Sequence, residues 1–425
     1  MSGVRVVSPL SVPLDAVVRP PGSKSQTIRA LVVSALAEDG SRLDLPLDAE
    51  DTRFARQALE QLGVEIENGD DAWVVTGTGG HLRTPLRPID AGASGLTARA
   101  MIAVGSLVAG STTIVGRDRL PQRPMNGLVH ALNQLDVEVS ATNGGLPVTV
   151  AGRGALPGGS VAVDSGETTQ FVTALLLVAP LATDELTIIP AGLEGSRRYL
   201  DVTIDTMRAF GGHVEETGGV YRVEPTGYTA TDLAIEPDAS AAVYPMVAAA
   251  ITGGRVRVEG LGSGSLQPDM DIARVLETMG CVLEQTEDTT TVDARDRSLQ
   301  PVDVDLSDAP DGALAIAVAC LFADGPSRLR GLGSLRFKES DRLTAVAAEI
   351  ARLGSGARID GNDLLIDPAT VGPARIDTHG DHRLAMSFAL VGLAVPGMEI
   401  ADPGVVGKTW PGYWDMIEGL AEPDP

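Results

Sequence analysis

Two apolar patterns alternate along this chain. The first is an amphipathic stretch that ends in Leu-Gly or a close variant and runs into a short alternating segment. It reads FARQALEQLGVEIE from Phe54, GLVHALNQLDVEVS from Gly127, YLDVTIDTMRAFGGHVEE from Tyr199, DIARVLETMGCVLE from Asp271 and RLTAVAAEIARLGSGARID from Arg342. In the fourth copy Ile272, Val275, Leu276 and Met279 stand at i, i+3, i+4 and i+7, one stripe of a helix. The residues that follow these helices, Gly63, Asp136, Gly211, Gly280 and Gly354, suit helix C-termini and recur about every 69 to 75 positions. A truncated sixth copy, YWDMIEGL, starts at Tyr413.

The second pattern is Ala-rich and nearly all apolar, followed by a small-residue turn and a strand. Its six copies begin near Thr27, Leu96, Thr169, Ala241, Ala313 and Arg383. A helix apolar on every side is a buried core helix. The sequence therefore predicts an α/β fold of six helix–strand–helix–strand units. Six units exceed one compact core, so two domains of three units are expected. Each buried helix also starts at small or polar residues: GSKSQT, GASGLT, SGETTQ, PDASAA, DAPDGA and HGDHR. Free N–H groups at helix starts attract anions, and six converging starts would supply up to about +3 of charge. Ordinary N-caps account for any one of them taken singly.

Composition narrows the function. Apolar residues make up 44% of the chain and aromatics only 3%, so the cores must be built from Ala, Val, Leu and Ile. The net charge of −24 argues against nucleic acid as a partner and demands a local basic site for any anionic ligand. Cys281 and Cys320 lie in apolar stretches and are expected to be buried thiols without a disulfide. The start, MSGVRVVSPL, lacks the apolar run of a signal peptide, and the longest apolar stretch, 168–182, is broken by Pro180. A cytoplasmic protein without membrane contact is expected.

Among 33 basic residues only three are lysines: Lys24, Lys338 and Lys408. Each lies in a segment dense in small or charged residues: PPGSKSQTIR, LRFKESDR and PGVVGKTWPG. Where arginine has replaced lysine almost everywhere, the survivors mark sites that need a compact ammonium. Neither Lys24 nor Lys408 sits in a phosphate loop of the Walker type. Asp402 occupies the position of that motif's first glycine, and Lys24 lacks the Gly-Lys pair.

Seven motifs, in order over nearly the whole chain, carry a resemblance. They are Pro21-Gly22-Ser23-Lys24-Ser25 with Arg29, Arg123-Pro124-Met125, Thr169-Gln170-Phe171, Asp308-Ala309-Pro310-Asp311, Lys338-Glu339-Ser340-Asp341-Arg342, Asp381-His382-Arg383 and Lys408-Thr409. With the sixfold repeat they resemble the 5-enolpyruvylshikimate-3-phosphate synthase family. The resemblance implies two domains, each of three units about a pseudo-threefold axis (an inside-out barrel). One would span 21–233 and the other 1–20 plus 234–425, with the active site in the cleft between them. It implies transfer of the enolpyruvyl group of phosphoenolpyruvate to the 5-hydroxyl of shikimate 3-phosphate, without metal or organic cofactor, by a monomer.

The resemblance also assigns roles. Asp311 would take the hydroxyl proton, and Glu339 and Lys24 would transfer protons at C3 and C2. Phosphoenolpyruvate would be held by Lys24, Gly95, Arg123, Gln170, Arg342, Arg383 and Lys408. Shikimate 3-phosphate would be held by Lys24, Ser25, Arg29, Thr168, Thr169, Gln170, Ser196, Tyr199, Asp311, Ser334 and Lys338. Arginine forks suit carboxylate and phosphate because they grip both oxygens at once.

Some positions depart from the family pattern: Ile28, the segment Gly92–Thr97, Glu167 with Thr168 and Thr169, Ser196–Tyr199 without a proline, and Ser334. They leave room for a paralogue that uses another cyclic alcohol. The sister enzyme that uses a UDP-amino sugar is disfavoured, because neither cysteine lies in a glycine-rich loop. An RNA 3′-phosphate cyclase, built from similar units, conflicts with the net charge. A non-catalytic anion binder has no use for Asp311 and Glu339. His379 and His382 have no further His/Cys cluster near them in sequence, so no metal site is expected, and His382 is expected to orient its neighbours.

Overall fold

The computed structural model of the chain describes residues 3–192 and 197–421. Twelve α-helices are described, and they alternate between the two predicted kinds. The core helices are α1 (Lys24–Leu36), α3 (Gly95–Gly105), α5 (Gln170–Val178), α7 (Ala239–Thr252), α9 (Ala313–Cys320) and α11 (His382–Ala394). Every residue of α3 and α9 is buried, and so are Thr27–Leu36, Phe171–Val178, Ala239–Ile251 and His382–Leu393. The amphipathic helices are α2 (Glu50–Gln61), α4 (Asn126–Gln134), α6 (Arg198–Ala209), α8 (Asp271–Thr278), α10 (Arg342–Arg352) and α12 (Tyr413–Ala421). They bury one face only. In α8 that face is Ile272, Ala273, Val275 and Leu276, with Met279 buried just beyond.

The five marker residues after the amphipathic helices share one backbone conformation. Gly63, Asp136, Gly211, Gly280 and Gly354 have φ of 95°, 56°, 81°, 103° and 90°. A left-handed residue turns the chain out of the helix and lets its N–H close the last turn, so glycine recurs there. Asp136 is the exception, and aspartate is one of the few other residues that tolerate this region.

The chain divides into two compact units: Gly22–Glu236, and Met1–Pro21 with Pro237–Pro425. In Gly22–Glu236 the core helices α1, α3 and α5 pack on one another; in the other unit α7, α9 and α11 do so. Among the described residues each unit has three sheets, five of the six being four-stranded. The common plan is an edge strand, a core helix, a strand parallel to the first, an amphipathic helix and an antiparallel hairpin. Ile89–Asp90, α3, Ala109–Val115, α4, Glu138–Thr142 and Gly145–Arg153 follow it in order.

The crossovers alter this plan by exchanging edge strands. Asp15–Val18 precedes α1 in sequence but pairs in parallel with Arg255–Glu259, the strand after α7. Leu233–Ala234 precedes α7 but pairs in parallel with Gly40–Asp44, the strand after α1. In the sixth copy Val4–Val7 takes the hairpin's place, antiparallel to Met398–Ala401. The first twenty residues thus complete two sheets of the unit that holds the C-terminal half. Leu233–Ala234 lies with Gly22–Glu236, so that unit runs three residues past position 233.

Both cysteines are buried, and burial pushes the Cys281 and Cys320 thiols up to about 11 and about 12. They are inert small hydrophobes rather than reactive groups. Among the described residues no helix is long and apolar enough to cross a membrane.

Candidate active site

In Gly22–Glu236 the candidate residues gather at the starts of α1, α3 and α5. Ser23 caps α1 by accepting from the Gln26 N–H at 3.3 Å. Lys24 opens the helix, with Nζ 3.3 Å from Oδ2 of the buried Asp51 on α2. One turn on, Arg29 is 2% exposed. It donates to Thr203 Oγ1 at 2.8 Å, to the Ser25 carbonyl at 2.9 Å and to the Tyr199 carbonyl at 3.3 Å. Burial pulls its guanidinium down to about 10, with Tyr199 opposing, so it stays cationic at neutral pH. These three partners are neutral oxygens, and they orient the charge without cancelling it.

At the start of α3, Ser94 accepts from the Thr97 N–H at 3.4 Å and Gly95 is the first helical residue. A side chain at Gly95 would collide with two guanidiniums: its Cβ would lie 2.7 Å from Arg99 Nη1 and 2.8 Å from Arg123 Nη1. Glycine there lets both arginines reach the helix start. Arg99 donates to Gln170 Oε1 at 2.6 Å and to the Pro124 carbonyl at 3.0 Å, and it lies over the Phe171 ring. At the start of α5, Thr168 Oγ1 accepts from the Gln170 N–H at 3.2 Å, and Thr169 is buried. Glu167 is largely exposed, but partial desolvation of its carboxyl and the nearby Asp164 push it above its ordinary value, with Arg99 pulling the other way. Ser196 lies outside the described residues.

In the other unit, Arg342 organises the candidate residues. It is 1% exposed at the start of α10 and is held by three carboxylates. Nε and Nη2 grip Asp381 at 2.7 and 3.1 Å, Nη1 donates to Asp311 at 2.8 Å, and Nη2 donates to Glu339 at 2.8 Å. Burial alone would lower this guanidinium; Asp381, Glu339 and Asp311 outweigh it and hold it above its ordinary value. Asp311 also meets Arg383 at 3.1 Å and Lys338 at 3.5 Å. Burial would raise its carboxyl, but Arg383, Lys338 and Arg342 prevail and depress it well below the usual aspartate range.

Asp381 positions this cluster. It is fully buried, caps α11 by accepting from the Arg383 N–H at 3.0 Å, and accepts from Ser340 at 3.0 Å. Arg383 reaches the Tyr244 hydroxyl at 3.4 Å. Lys408 is buried at the end of the 3₁₀ turn Pro403–Lys408. The Ser334 hydroxyl is buried with no hydrogen-bond partner among the described residues. His382 is buried with Nδ1 3.6 Å from Asp381, and His379 pairs with Glu349 at 3.0 Å. Among the described residues no group of three or more His, Cys, Asp or Glu could hold a metal ion.

The structure thus places Lys24, Ser25 and Arg29 in the first two turns of one helix, links Arg99 to Gln170, and sets Arg99 and Arg123 beside Gly95. It joins Asp311, Glu339, Lys338, Arg342 and Arg383 in one ion network. Sequence reasoning missed Arg99, Asp51 and the role of Asp381. Arg99 had a signal: it is the one charged residue in the otherwise apolar run LTARAMIAVG, and a charge inside a core helix needs a partner. The polar residues at four core-helix starts, Ser23, Ser94, Asp238 and Asp381, are side-chain caps. The Thr169 side chain does not cap α5, and Gly312 at the start of α9 has no side chain to cap with.

The comparisons with known proteins agree with one another. The family profile described as EPSP synthase (3-phosphoshikimate 1-carboxyvinyltransferase) matches residues 10–417. A 3-phosphoshikimate 1-carboxyvinyltransferase of Rhizobium leguminosarum bv. trifolii is 40% identical over 97% of this chain and 96% of its own length. One from Pseudomonas syringae pv. tomato is 36% identical over 97% of both. Among solved structures, EPSP synthase from Acinetobacter baumannii superposes with a TM-score of 0.83 at 24% identity, covering 99% of this chain and 98% of that one. The enolpyruvyl transferase NikO from Streptomyces tendae gives 0.78 at 17% identity, over 98% and 97%. These two likenesses concern the fold, which is that of the two-domain enolpyruvyl transferases. With a family match over nearly its whole length and relatives at 36–40% identity, the chain belongs to the EPSP synthase (3-phosphoshikimate 1-carboxyvinyltransferase) family.

Proposed function

We propose that this enzyme transfers the enolpyruvyl group of phosphoenolpyruvate to the 5-hydroxyl of shikimate 3-phosphate and releases phosphate, a step of aromatic amino-acid biosynthesis. The observation that carries the reading is the network in which Asp311 and Glu339 share Arg342, with Arg383 and Lys338 against Asp311. It sets two carboxylates fit for proton transfer among cations fit for phosphate and carboxylate.

In the first step the hydroxyl oxygen bonds to C2 of phosphoenolpyruvate, Asp311 takes the hydroxyl proton and C3 gains a proton. In the second, the tetrahedral intermediate loses a proton from C3, the C2–O bond to phosphate breaks and the enol double bond returns. Glu339 and Lys24 supply the proton that C3 gains and take back the one it later loses. Arg123, Arg342, Arg383, Lys408 and Lys24 hold phosphoenolpyruvate, with Gly95 and Gln170. Lys24, Ser25, Arg29, Thr168, Thr169, Gln170, Ser196, Tyr199, Ser334 and Lys338 hold shikimate 3-phosphate, with Asp311 at its hydroxyl. The buried Ser334 hydroxyl and the uncancelled charge of Arg29 suit this second set. In this reading the enzyme works in the cytoplasm as a monomer.

Substrate anions also tune the base. Arg383, Lys338 and Arg342 depress the Asp311 carboxyl and weaken it as a base while all three face it. Phosphate and carboxylate compete for those cations, and each cation drawn off raises the proton affinity of Asp311. Proton abstraction is thereby tied to occupancy. The test is phosphate release from phosphoenolpyruvate with and without shikimate 3-phosphate. Strictly acceptor-dependent release is expected; release that ignores the acceptor, or none with it, contradicts the reading.

Lys24 offers a narrower test. Its ammonium is partly buried against Asp51, where the longer planar guanidinium of arginine cannot place a point charge at the same spot. Lys24→Arg is expected to lose most activity and keep the wild-type melting temperature. Wild-type turnover would contradict the role given to the ammonium.

A further inference from the structure

Asp269 is a buried acid that the reaction scheme above does not use. It is 1% exposed and lies in the 3₁₀ turn Pro268–Met270, far in sequence from the catalytic motifs. Its two oxygens serve two core helices. Oδ1 accepts from the Gly312 N–H at 3.1 Å, at the start of α9. Oδ2 accepts from the Ser240 hydroxyl in the first turn of α7. No side chain of its own caps α9, so Asp269 supplies that cap from a separate element. The turn itself is pinned: Gln267 accepts from the Ala239 N–H at 3.0 Å and donates to the Pro237 carbonyl at 2.7 Å.

Gly312 is the residue directly after Asp311. A side chain at 312 would put its Cβ 2.6 Å from Ile272 Cγ1 and 3.3 Å from Asp269 Oδ1, so the backbone is seated tightly there. Asp269 therefore holds the peptide that carries the base, from behind. The two acids also sense each other. Burial and then the charge of Asp311 push the Asp269 carboxyl above its ordinary range, while Arg383 and the Ser240 hydroxyl oppose this and Asp238 adds to it.

We propose that Asp269 is a positioning residue for the base, fixing the Asp311 backbone through Gly312 and placing a negative charge behind its carboxylate. That charge offsets part of the field of Arg342, Arg383 and Lys338, and so keeps Asp311 basic enough to accept a proton. The other charged or titratable groups that face the pair are Glu339, Asp381 and Asp238, with Tyr244 of α7. The inference rests on the role given to Asp311 above.

The test compares Asp269→Asn and Ser240→Ala with the wild type in acceptor-dependent phosphate release. Asparagine keeps an acceptor for the Gly312 N–H and removes the charge. Its kcat should fall about tenfold, with both KM values within about twofold. The acid limb of its kcat–pH profile should move to lower pH, because Asp311 without a negative neighbour holds its proton less tightly. Ser240→Ala removes a donor from the Asp269 carboxylate, so Asp269 takes its proton at higher pH; once neutral it resembles the asparagine, and the acid limb should again move to lower pH, by a smaller amount. Downward shifts in both variants, the larger in Asp269→Asn, support the proposal, and the serine variant alone decides it if the asparagine variant does not fold. An unmoved limb in the folded variants overturns it, including a fall in kcat without a shift, since that reports packing alone. If the wild type itself shows no acceptor-dependent release, the proposed function fails and not merely this inference.

Discussion

Replacing Asp311 by Asn is expected to lower turnover by about 10²–10⁴-fold, the usual weight of a positioned general base. The Michaelis constant for phosphoenolpyruvate should stay the same or fall. Asp311 is bonded to Arg342 and paired with Arg383 and Lys338, so it competes with substrate anions for those cations. Neutralising it removes the competitor together with the base. The variant should fold, since the amide oxygen still accepts from Arg342. Steady-state kinetics separates the outcomes. A rise in KM with kcat unchanged would mean that Asp311 only scaffolds the site.

Arg342→Ala should cost both activity and stability. Its guanidinium is buried among Asp311, Glu339 and Asp381, of which Asp381 is fully buried. Removing one partner of a buried ion pair costs about 3–5 kcal/mol, because it strands the opposite charge. A loss of that order is expected in the unfolding free energy of the unit that contains it, and Arg342→Lys should lose less. The pH dependence follows from the sign of the shift. The folded protein holds the Asp311 carboxyl below its unfolded value, so its contribution is complete above about pH 4 and fades as the pH falls further. The alanine variant loses part of that contribution, and its stability should fall less steeply on acidification. Urea melts at neutral and acid pH would show this; wild-type stability in the variant would contradict the central place of Arg342.

The repeat was legible because it is local. A helix apolar on all sides, a one-sided helix and a residue suited to a left-handed turn each leave a short-range signature, and Gly63, Gly211, Gly280 and Gly354 all took the conformation their position implied. The exchange of edge strands was not legible from periodicity. Asp15–Val18 and Leu233–Ala234 are short, and nothing within them says which sheet they join; only the resemblance placed the first strands with the C-terminal half.

The site divides in the same way. Scarcity of lysine singled out Lys24, Lys338 and Lys408, and all three are buried or partly buried. What the sequence could not convey is pairing at long range. Arg99 meets Gln170 from 71 positions away and Arg342 meets Asp381 from 39. Asp269 reads in sequence as an ordinary acid at a helix start, and its work lies on a glycine 43 residues later. Partners of that kind emerge only when the core helices bring their starts together.

The fate of the acceptor decides whether this enzyme transfers an enolpyruvyl group. Shikimate 3-phosphate and phosphoenolpyruvate are incubated with the enzyme and the products identified by mass spectrometry. The acceptor should gain one enolpyruvyl group for each phosphate released. An unmodified acceptor, with phosphoenolpyruvate intact or hydrolysed to pyruvate, would contradict it.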